Sequence, residues 1–336
     1  MSEKKKLGLT YRLYSGKLSY NFIERRRTWF IISAVVVAIA VLGLTLRGLT
    51  LGIEFSGGTD FQAPAKVTSA TVDDVRSAVS KIEITELEAQ VFSLGESAIR
   101  VQTRALTPEE TQLMRTELAE IAGTTPDEVT YNAIGPSWGE RVSSRAGIAL
   151  VVFLVLVSLL IWAWFRDWRM SVSALVALAH DVVVTVGVYA LVGFTVTPAT
   201  LIGVLTILGY SLYDTVVVFD KVRENVQDVS HSSQTYSQAA NLAINQVLIR
   251  SINTTIIGVL PVSGLLIAGS ILGGGPLGDL GLALFVGMIA GAYSSIFIAT
   301  PFLAMIKERD PEQVAHRQAL EKRRQRAQKR AERKAH

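Results

Sequence analysis

Six long apolar runs constrain this chain more than any other feature of its sequence. They cover residues 28–46, 147–165, 170–194, 196–219, 251–272 and 280–306. A helix needs roughly 17–25 mostly apolar residues to cross the hydrocarbon core of a bilayer. Lipid offers the backbone no hydrogen-bond partners, so such runs are expected to be helical. The sequence therefore predicts an α-helical polytopic membrane protein with six transmembrane helices.

The first apolar run also has two features of a secretory signal peptide. Basic residues Arg25 to Arg27 precede it, and Ala38-Ile39-Ala40 loosely fits a cleavage site. However, the run is longer than the roughly 7–15 residues of a signal core, and cleavage there would discard half of it. We interpret it as an uncleaved first transmembrane helix.

The distribution of charge predicts the orientation of the six helices. Residues 1–27 carry eight Lys and Arg against two acidic residues, and residues 307–336 carry eleven against five. Basic flanks are retained in the cytoplasm, so both termini are expected there. The predicted organisation is a basic cytoplasmic N-terminus (1–27), the first transmembrane helix (28–46), an external domain (47–146), transmembrane helices 2–6 (147–306) and a basic cytoplasmic tail (307–336).

The basic tail allows two interpretations. Polybasic segments next to a membrane are attracted to anionic lipid, so the tail is expected to lie near the lipid surface or to act only as a topology signal. The alternative is a contact with ribosomal RNA or another acidic partner. We favour the first, and expect no nucleic-acid partner.

Residues 47–146 have the pattern of a small α+β domain. Ile53–Phe55 and the residues to Phe61 read as two strands around a turn at Gly57-Gly58, and Thr71 as a helix N-cap. Two alternating segments flank a turn at Gly95, and Thr107 to Glu110 has the pattern of a capping box. Strand pattern resumes at residue 129. The order βαββαβ predicts an external ferredoxin-like domain.

This domain carries no recognisable catalytic set. It contains no histidine, and the whole chain contains no cysteine, which excludes thiol nucleophiles and cysteine metal sites. Gly57-Gly58 without a lysine is more typical of a tight turn than of a phosphate site. We therefore expect a contact module and a transport subunit, not an enzyme, with no cofactor or metal.

Few ionisable residues lie inside the apolar runs, and each is a candidate functional residue because a charge there is costly. His180 and Asp181 lie near the middle of the third run, Asp214 lies in the fourth, and Arg250 precedes the fifth. They are candidates for a proton pathway, since burial shifts the protonation of His and Asp. The alternatives are polar contacts between helices for the carboxylates and an interfacial anchor for Arg250.

Small residues recur in the same runs. Gly203 and Gly209 lie in the fourth run, and Gly287 and Gly291 form a GxxxG motif in the sixth. Small faces permit close helix packing. We expect these faces to bind a partner subunit.

Two functional classes fit an apolar chain with buried carboxylates. An intramembrane aspartyl protease would need Asp214 and Asp279 close enough to share a proton. Their positions in the two runs instead place them roughly 20 Å apart in depth. A proton-coupled transport subunit needs no such pair and is favoured.

Several ordered motifs resemble the SecF family, the smaller membrane subunit of the bacterial SecD–SecF protein-export complex. Glu54 and Lys221 stand where the family usually has Asp and Arg. Besides His180-Asp181, the motif residues are Gly52, Phe55, Gly57, Gly58, Thr59, Gly135, Pro136, Asp220, Arg223, Glu224, Asn225, Thr254 and Thr255. The similarity covers about residues 20–306 and leaves both basic ends unmatched.

The resemblance implies properties that the residue patterns alone do not. It implies half of a resistance–nodulation–division bundle, completed by SecD, in the bacterial inner membrane. The complex would use the proton-motive force to help preproteins leave the Sec translocon channel, with Asp214 and Arg250 in the proton pathway. A half-size proton-coupled exporter of small molecules on the same fold is the alternative.

Overall fold

The computed structural model of the chain describes residues 19–66, 69–85, 87, 89–94, 97–227, 234–271 and 276–335. It contains six helices that are long and apolar enough to cross a membrane. The predicted multi-pass helical architecture is therefore confirmed. The turn predicted at Gly95 and the first eighteen residues lie outside the described part of the chain.

The segment after the first span departs from the sequence prediction. The first span is α1 (Arg26–Arg47), followed by strand β1 (Thr50–Leu51) and a single helical turn, α2 (Ile53–Ser56). The strand predicted at Ile53–Phe55 is wrong. An apolar–polar–apolar triplet fits one helical turn as well as a strand, and Gly57, with φ at 74°, ends the turn.

A four-stranded sheet domain lies between the first and second spans. Its strands are antiparallel, in the order β3-β4-β2-β5, which confirms the predicted ferredoxin-like βαββαβ fold. The core contains Phe61, Val101, Met114 and Leu118, all with no exposed surface. The elements are β2 (Gly58–Pro64), α3 (Ser69–Val79), β3 (Gln90–Leu94), β4 (Ala98–Thr103), α4 (Pro108–Ala122) and β5 (Thr130–Ile134).

One of the two predicted helix starts in this domain is confirmed. The Thr107 hydroxyl accepts a hydrogen bond from the Glu110 amide (3.2 Å), and the Glu110 carboxylate accepts one from the Thr107 amide (2.9 Å). This is the predicted capping box of α4. The predicted cap at Thr71 is wrong, because α3 already begins at Ser69. Ser and Thr both favour helix starts, so the local sequence does not choose between them.

In the described part of the chain, the remaining spans follow the sheet domain with no further folded unit between them. The second to fifth spans are α5 to α8, and the sixth is α9, a π-helical segment (Ser295–Ala299) and α10. The elements are α5 (Pro136–Phe165), α6 (Trp168–Val192), β6 (Thr195–Val196), α7 (Pro198–Val226), α8 (Tyr236–Ile271), α9 (Pro276–Ser294), α10 (Thr300–Lys307) and the basic tail helix α11 (Pro311–Ala335).

Small residues bring the fourth and sixth spans into close contact. A Cβ added at Gly287 would lie 2.2 Å from the Ile207 side chain, and one at Gly291 would lie 2.7 Å from the Ser211 Cβ. The GxxxG motif is therefore used within the chain. The expectation that it binds a partner subunit is wrong, since a sequence pattern shows a close-packing face but not which helix fills it.

Candidate functional site within the spans

Asp181 lies at the junction of three spans and is 1% exposed. Its Oδ2 accepts hydrogen bonds from the Ser211 hydroxyl of the fourth span (2.6 Å) and the Ser294 hydroxyl of the sixth (2.9 Å). His180 Nδ1 lies 3.3 Å from Oδ1. Buried polar groups are almost always hydrogen-bonded, and both oxygens of Asp181 have partners.

His180 connects this carboxylate to a cavity between the first, third and sixth spans. The cavity has a volume of about 370 Å³, and apolar side chains, His180 and Tyr293 line it. The second ring nitrogen of His180, Nε2, is buried and has no hydrogen-bond partner among the described residues. The imidazole therefore has one nitrogen facing Asp181 and one without a protein partner beside the cavity.

Asp214 lies on the fourth span and is buried, with 7% of its surface exposed. Its Oδ2 accepts a hydrogen bond from the Ser251 hydroxyl of the fifth span at 2.7 Å. Within the described residues, no Lys or Arg nitrogen lies within 4.0 Å of this carboxylate. One neutral hydroxyl is a weak replacement for water around a charged carboxylate.

Arg250 is adjacent to Ser251 but does not bind Asp214 in this conformation. Its Nη2 donates to the Tyr213 hydroxyl at 3.3 Å. Both residues are exposed on the surface of the spans, and Tyr213 is 53% exposed. Tyr213 and Asp214 are consecutive, so the guanidinium lies beside the carboxylate without pairing with it.

The two carboxylates are linked by α7 and by the π segment of the sixth span. Ser211 and Asp214 are three residues apart and so neighbours on the surface of α7. Ser295, the first residue of the π segment, donates to the Ser211 carbonyl (3.3 Å) and lies 2.8 Å from the Thr215 hydroxyl. Such segments recur at functional sites.

These serines are the functional candidates that sequence reasoning missed. The sequence patterns do not single out Ser211, Ser251 or Ser294 as carboxylate partners, or Ser295 as a contact of the fourth span. The one local signal is that Ser211 lies three positions before Asp214 on the same helix, although its hydroxyl donates to Asp181 of the third span. The serines of the fifth and sixth spans had no such local signal.

The glycine-rich motif after the first span ties the sheet domain to the spans. β1 pairs with β6 in parallel, and the Gly52 amide donates to the Val196 carbonyl at 2.9 Å. Gly58 adopts φ 136°, and a Cβ there would lie 2.3 Å from the Thr103 carbonyl oxygen. Only glycine tolerates this conformation so close to another backbone.

The start of the sixth span contacts the same junction. Asp279 Oδ2 accepts a hydrogen bond from the hydroxyl of Thr197, the N-cap of α7, at 2.9 Å.

In the sheet domain, Arg100 donates to both oxygens of Asp60 (2.8 and 3.0 Å). Burial alone would lower the pKa of Arg100. The hydrogen bond and charge of Asp60 outweigh burial, together with the charges of Glu54 and Asp279, and the pKa of Arg100 is raised.

The motif residues at the other end of the fourth span make local contacts. Lys221 Nζ lies 2.6 Å from Glu224, and the Asn225 amide donates to Gln246 Oε1 on α8 (2.9 Å). The Asn225 contact holds the end of α7 against α8, whereas the Lys221 contact lies within α7. The hydroxyls of Thr254 and Thr255 donate to carbonyls four residues earlier in α8. Two further charged motif residues, Asp220 and Arg223, are exposed.

The structure separates the two aspartates of the protease interpretation. Asp279 binds Thr197 at the beginning of α7, and Asp214 lies about 25 Å further along that helix at 1.5 Å rise per residue. Two carboxylates share a proton only when they are in direct contact. Asp214 and Asp279 therefore do not form a catalytic pair.

Comparison with known proteins agrees with this arrangement. The sequence model of the family described as "Protein export membrane protein SecD/SecF, C-terminal" matches residues 114–309, a range that includes Asp181, Asp214 and Arg250. The protein translocase subunit SecF of Streptomyces coelicolor is 45% identical over 313 residues, which cover 92% of this chain and 83% of the relative. This chain belongs to the SecF family. Its family relatives give it a role in Sec protein export.

Two further relatives are longer proteins that include a comparable unit. The protein translocase subunit SecDF of Thermus thermophilus is 30% identical, with coverage of 88% of this chain and 40% of the relative. The crystal structure of SecDF from that organism, described as a translocon-associated membrane protein, superposes with a TM-score of 0.76 at 30% identity. It covers 87% of this SecF-family chain, which spans only 39% of the fused protein.

Proposed function

We propose that this chain works with SecD to promote preprotein export through the Sec translocon channel, driven by the proton-motive force. Asp214 is the residue that takes up and releases the proton. The observation that carries the proposal is the environment of this carboxylate, which is buried in a span beside a single Ser251 hydroxyl. A purely structural carboxylate at that depth is expected to have a cation or several donors.

Arg250 changes its partner with the protonation state of Asp214, which gives the mechanism two states. An ionised Asp214 attracts the guanidinium, and a protonated one does not, so the guanidinium then binds the Tyr213 hydroxyl. The observed contact of Arg250 with Tyr213 corresponds to the protonated state. A proton crossing a potential of 100 mV releases about 2.3 kcal/mol, enough to shift such a two-state equilibrium roughly fiftyfold. Movement of α8 relative to α7 would follow this exchange.

His180 and Asp181 form the second station of the proton pathway. His180 Nε2 lies at the cavity between three spans, and Nδ1 lies beside Asp181. Imidazole can accept a proton at one nitrogen and donate from the other. We infer that a proton reaches Asp181 through His180 and passes toward Asp214 along the surface of α7 that carries Ser211.

SecD is the partner that completes the spans. The fourth span exposes Ile202 and Tyr213, and the fifth exposes Arg250, Asn253 and Ile257. Polar side chains facing lipid in mid-membrane are costly, so this mixed face is expected to be covered by protein. The fused SecDF relatives support this, because one unit like this chain fills 39–40% of their length.

The orientation rests on the charges of the two ends. The first span begins at Arg26 and the sixth ends at Lys307, with basic segments beyond both, so the termini are placed in the cytoplasm. The sheet domain then lies outside, where it can contact an emerging preprotein.

Cysteine labelling tests this orientation, because the chain contains no cysteine. A single cysteine at Ser97 should react with an impermeant maleimide in intact cells, and one at Gln325 should not. Labelling only at Gln325 would show the opposite orientation, with the termini outside and the sheet domain in the cytoplasm.

The central test measures export by vesicles that contain the Sec translocon, SecD and this chain, with and without an imposed proton gradient. Asp214→Asn keeps the size and hydrogen bonding of the side chain but cannot ionise. It should insert and bind SecD normally and lose the stimulation by the gradient. Asp74→Asn, at an exposed aspartate of the sheet domain outside the motif residues, serves as the control and should retain it. Full stimulation of export by the gradient with Asp214→Asn would show that Asp214 only makes a polar contact between helices and carries no proton.

No observation in the structure favours the half-size exporter of small molecules. The apolar cavity beside His180, with a volume of about 370 Å³, is within the usual size range of small-ligand pockets, but its presence is equally compatible with a protein translocase subunit and does not distinguish the two functions. Relatives over most of the chain length are named protein translocase subunits, which favours protein export over small-molecule export.

A further inference from the structure

Four arginines line a cavity at the end of the spans where α1 begins and α10 ends. The cavity has a volume of about 530 Å³ and is enclosed by the start of α1, the end of α10 and the first turns of α11. We call it the arginine pocket. Its basic residues are Arg26, Arg27, Arg309 and Arg317.

The positive charge of the arginine pocket is only partly neutralised. Arg26 forms an ion pair with Glu308 at 3.2 Å, and Glu308 also accepts a hydrogen bond from the Ser237 hydroxyl. Among the described residues, no carboxylate lies within 4.0 Å of Arg27, Arg309 or Arg317, and all three are exposed. Three arginines that line the pocket therefore have no carboxylate partner within 4.0 Å among the described residues.

The wall of the pocket that faces the spans is apolar. Phe30, Met305 and Val314 line it beside the arginines. Along the first span, the surface continues with Ile31 and Val35, which are 64% and 53% exposed. The site therefore combines a cationic rim with an apolar surface that extends into the depth of the membrane.

We propose that the arginine pocket binds the headgroup of an anionic phospholipid, with an acyl chain lying along the first span. Guanidinium groups bind phosphate oxygens through paired hydrogen bonds, and the pocket lies at the ends of two spans, at headgroup level. A soluble polyanion such as RNA would match the arginines but not the apolar wall. Lipid binding would hold α11 against the membrane, which gives the basic tail a defined contact.

The test is native mass spectrometry of the full chain in detergent, titrated with phosphatidylglycerol or with phosphatidylcholine of the same acyl chains. Phosphatidylglycerol should bind at least fivefold more tightly. Arg309→Gln with Arg317→Gln should weaken its binding roughly thirtyfold, since each basic side chain near the membrane contributes about 1 kcal/mol and about 1.4 kcal/mol corresponds to tenfold. The matched control is Arg323→Gln with Arg326→Gln, an equal loss of charge on exposed positions of α11 outside the pocket.

Three results would overturn the proposal. Equal binding of the two lipids would exclude recognition of an anionic headgroup. Equal losses in the pocket and control variants would show a diffuse effect of tail charge. Displacement of the lipid by inorganic phosphate or by a short RNA at micromolar concentration would identify a soluble anion as the ligand. Arg309→Lys with Arg317→Lys keeps the charge and should recover most of the binding, which separates a binding defect from misfolding.

Discussion

The Ser251 hydroxyl donates a 2.7 Å hydrogen bond to the buried carboxylate of Asp214. The bond crosses the contact between the fourth and fifth spans, so it joins two helices through the group proposed to carry the proton. The preceding residue of the fifth span, Arg250, binds the Tyr213 hydroxyl and not the Asp214 carboxylate. The hydroxyl therefore holds the carboxylate while the guanidinium is elsewhere.

Ser251→Ala should destabilise the folded chain, because it leaves the buried Asp214 oxygen without a donor. The expected cost is about 1–3 kcal/mol, measured by thermal or denaturant unfolding in detergent. Ser263→Ala is the matched control, since Ser263 lies on the same helix and its hydroxyl donates only to the Val259 carbonyl. In a double-mutant cycle, Ser251→Ala and Asp214→Ala, which each remove the hydrogen bond, should be coupled by at least 0.5 kcal/mol, as contacting residues usually are. Strict additivity would contradict the contact.

Tyr213→Phe should shift the equilibrium of Arg250 between its two partners, the Tyr213 hydroxyl and the Asp214 carboxylate. Without the hydroxyl, the guanidinium is expected to bind Asp214 more often, which holds the carboxylate ionised and hinders proton uptake. The gradient-dependent part of export should therefore fall, while SecD binding is retained. Arg250→Lys should reduce export more than Tyr213→Phe, because Lys lacks the planar fork that binds a carboxylate. If Arg250→Lys exports like the parent chain, the guanidinium has no role beyond its charge.

Gly291→Ala should destabilise the chain itself and not only its assembly. The new Cβ would lie 2.7 Å from the Ser211 Cβ and 3.0 Å from its hydroxyl oxygen, so Ser211 must move away from Asp181. A cost of about 1–3 kcal/mol is expected for such overpacking, seen as a lower unfolding temperature in detergent. Gly264→Ala, at a site with nothing within 4 Å, should leave this temperature unchanged. If Gly291→Ala lost SecD binding and kept its stability, the GxxxG motif would contact SecD and not the fourth span.

Acid should loosen the start of α4 in the sheet domain. A hydrogen bond from Arg104 and one from the Thr107 amide lower the pKa of Glu110 to about 2. A carboxylate with a lowered pKa stabilises the fold fully above its ordinary pKa of 4.5. That stabilisation is lost as the pH falls from about 4.5 through about 2.

Hydrogen exchange in the full chain measures this loss. The amides of the first turn of α4 should exchange faster in Glu110→Gln than in the parent chain at pH 6, and the difference should shrink toward pH 2. Glu109→Gln, a neighbouring exposed acid, is the control and should have no effect. An equal effect of both substitutions would indicate the general attraction of acids to the helix start and not the capping contact.

The sequence alone determined the features that depend on local or periodic patterns. Six apolar runs are sufficient to predict six spans, because each has the length of a transmembrane helix and a helix satisfies its own backbone hydrogen bonds in lipid. The capping box at Thr107 and Glu110 was also predictable, since both partners lie within one helical turn. Asp181 and Asp214 could be selected as candidates because a carboxylate in an apolar run is costly wherever the helix packs.

Tertiary structure decided which groups these candidates meet. Asp181 binds Ser211 and Ser294, which come from spans far apart in sequence, and no local pattern shows which helices pack together. The same holds for Gly291, whose missing side chain makes room for Ser211 and not for a partner. Apolar periodicity determines that a helix spans the membrane, whereas its rotation and neighbours depend on side-chain packing summed over the whole bundle. Hydrogen bonds between spans form only after that packing is complete.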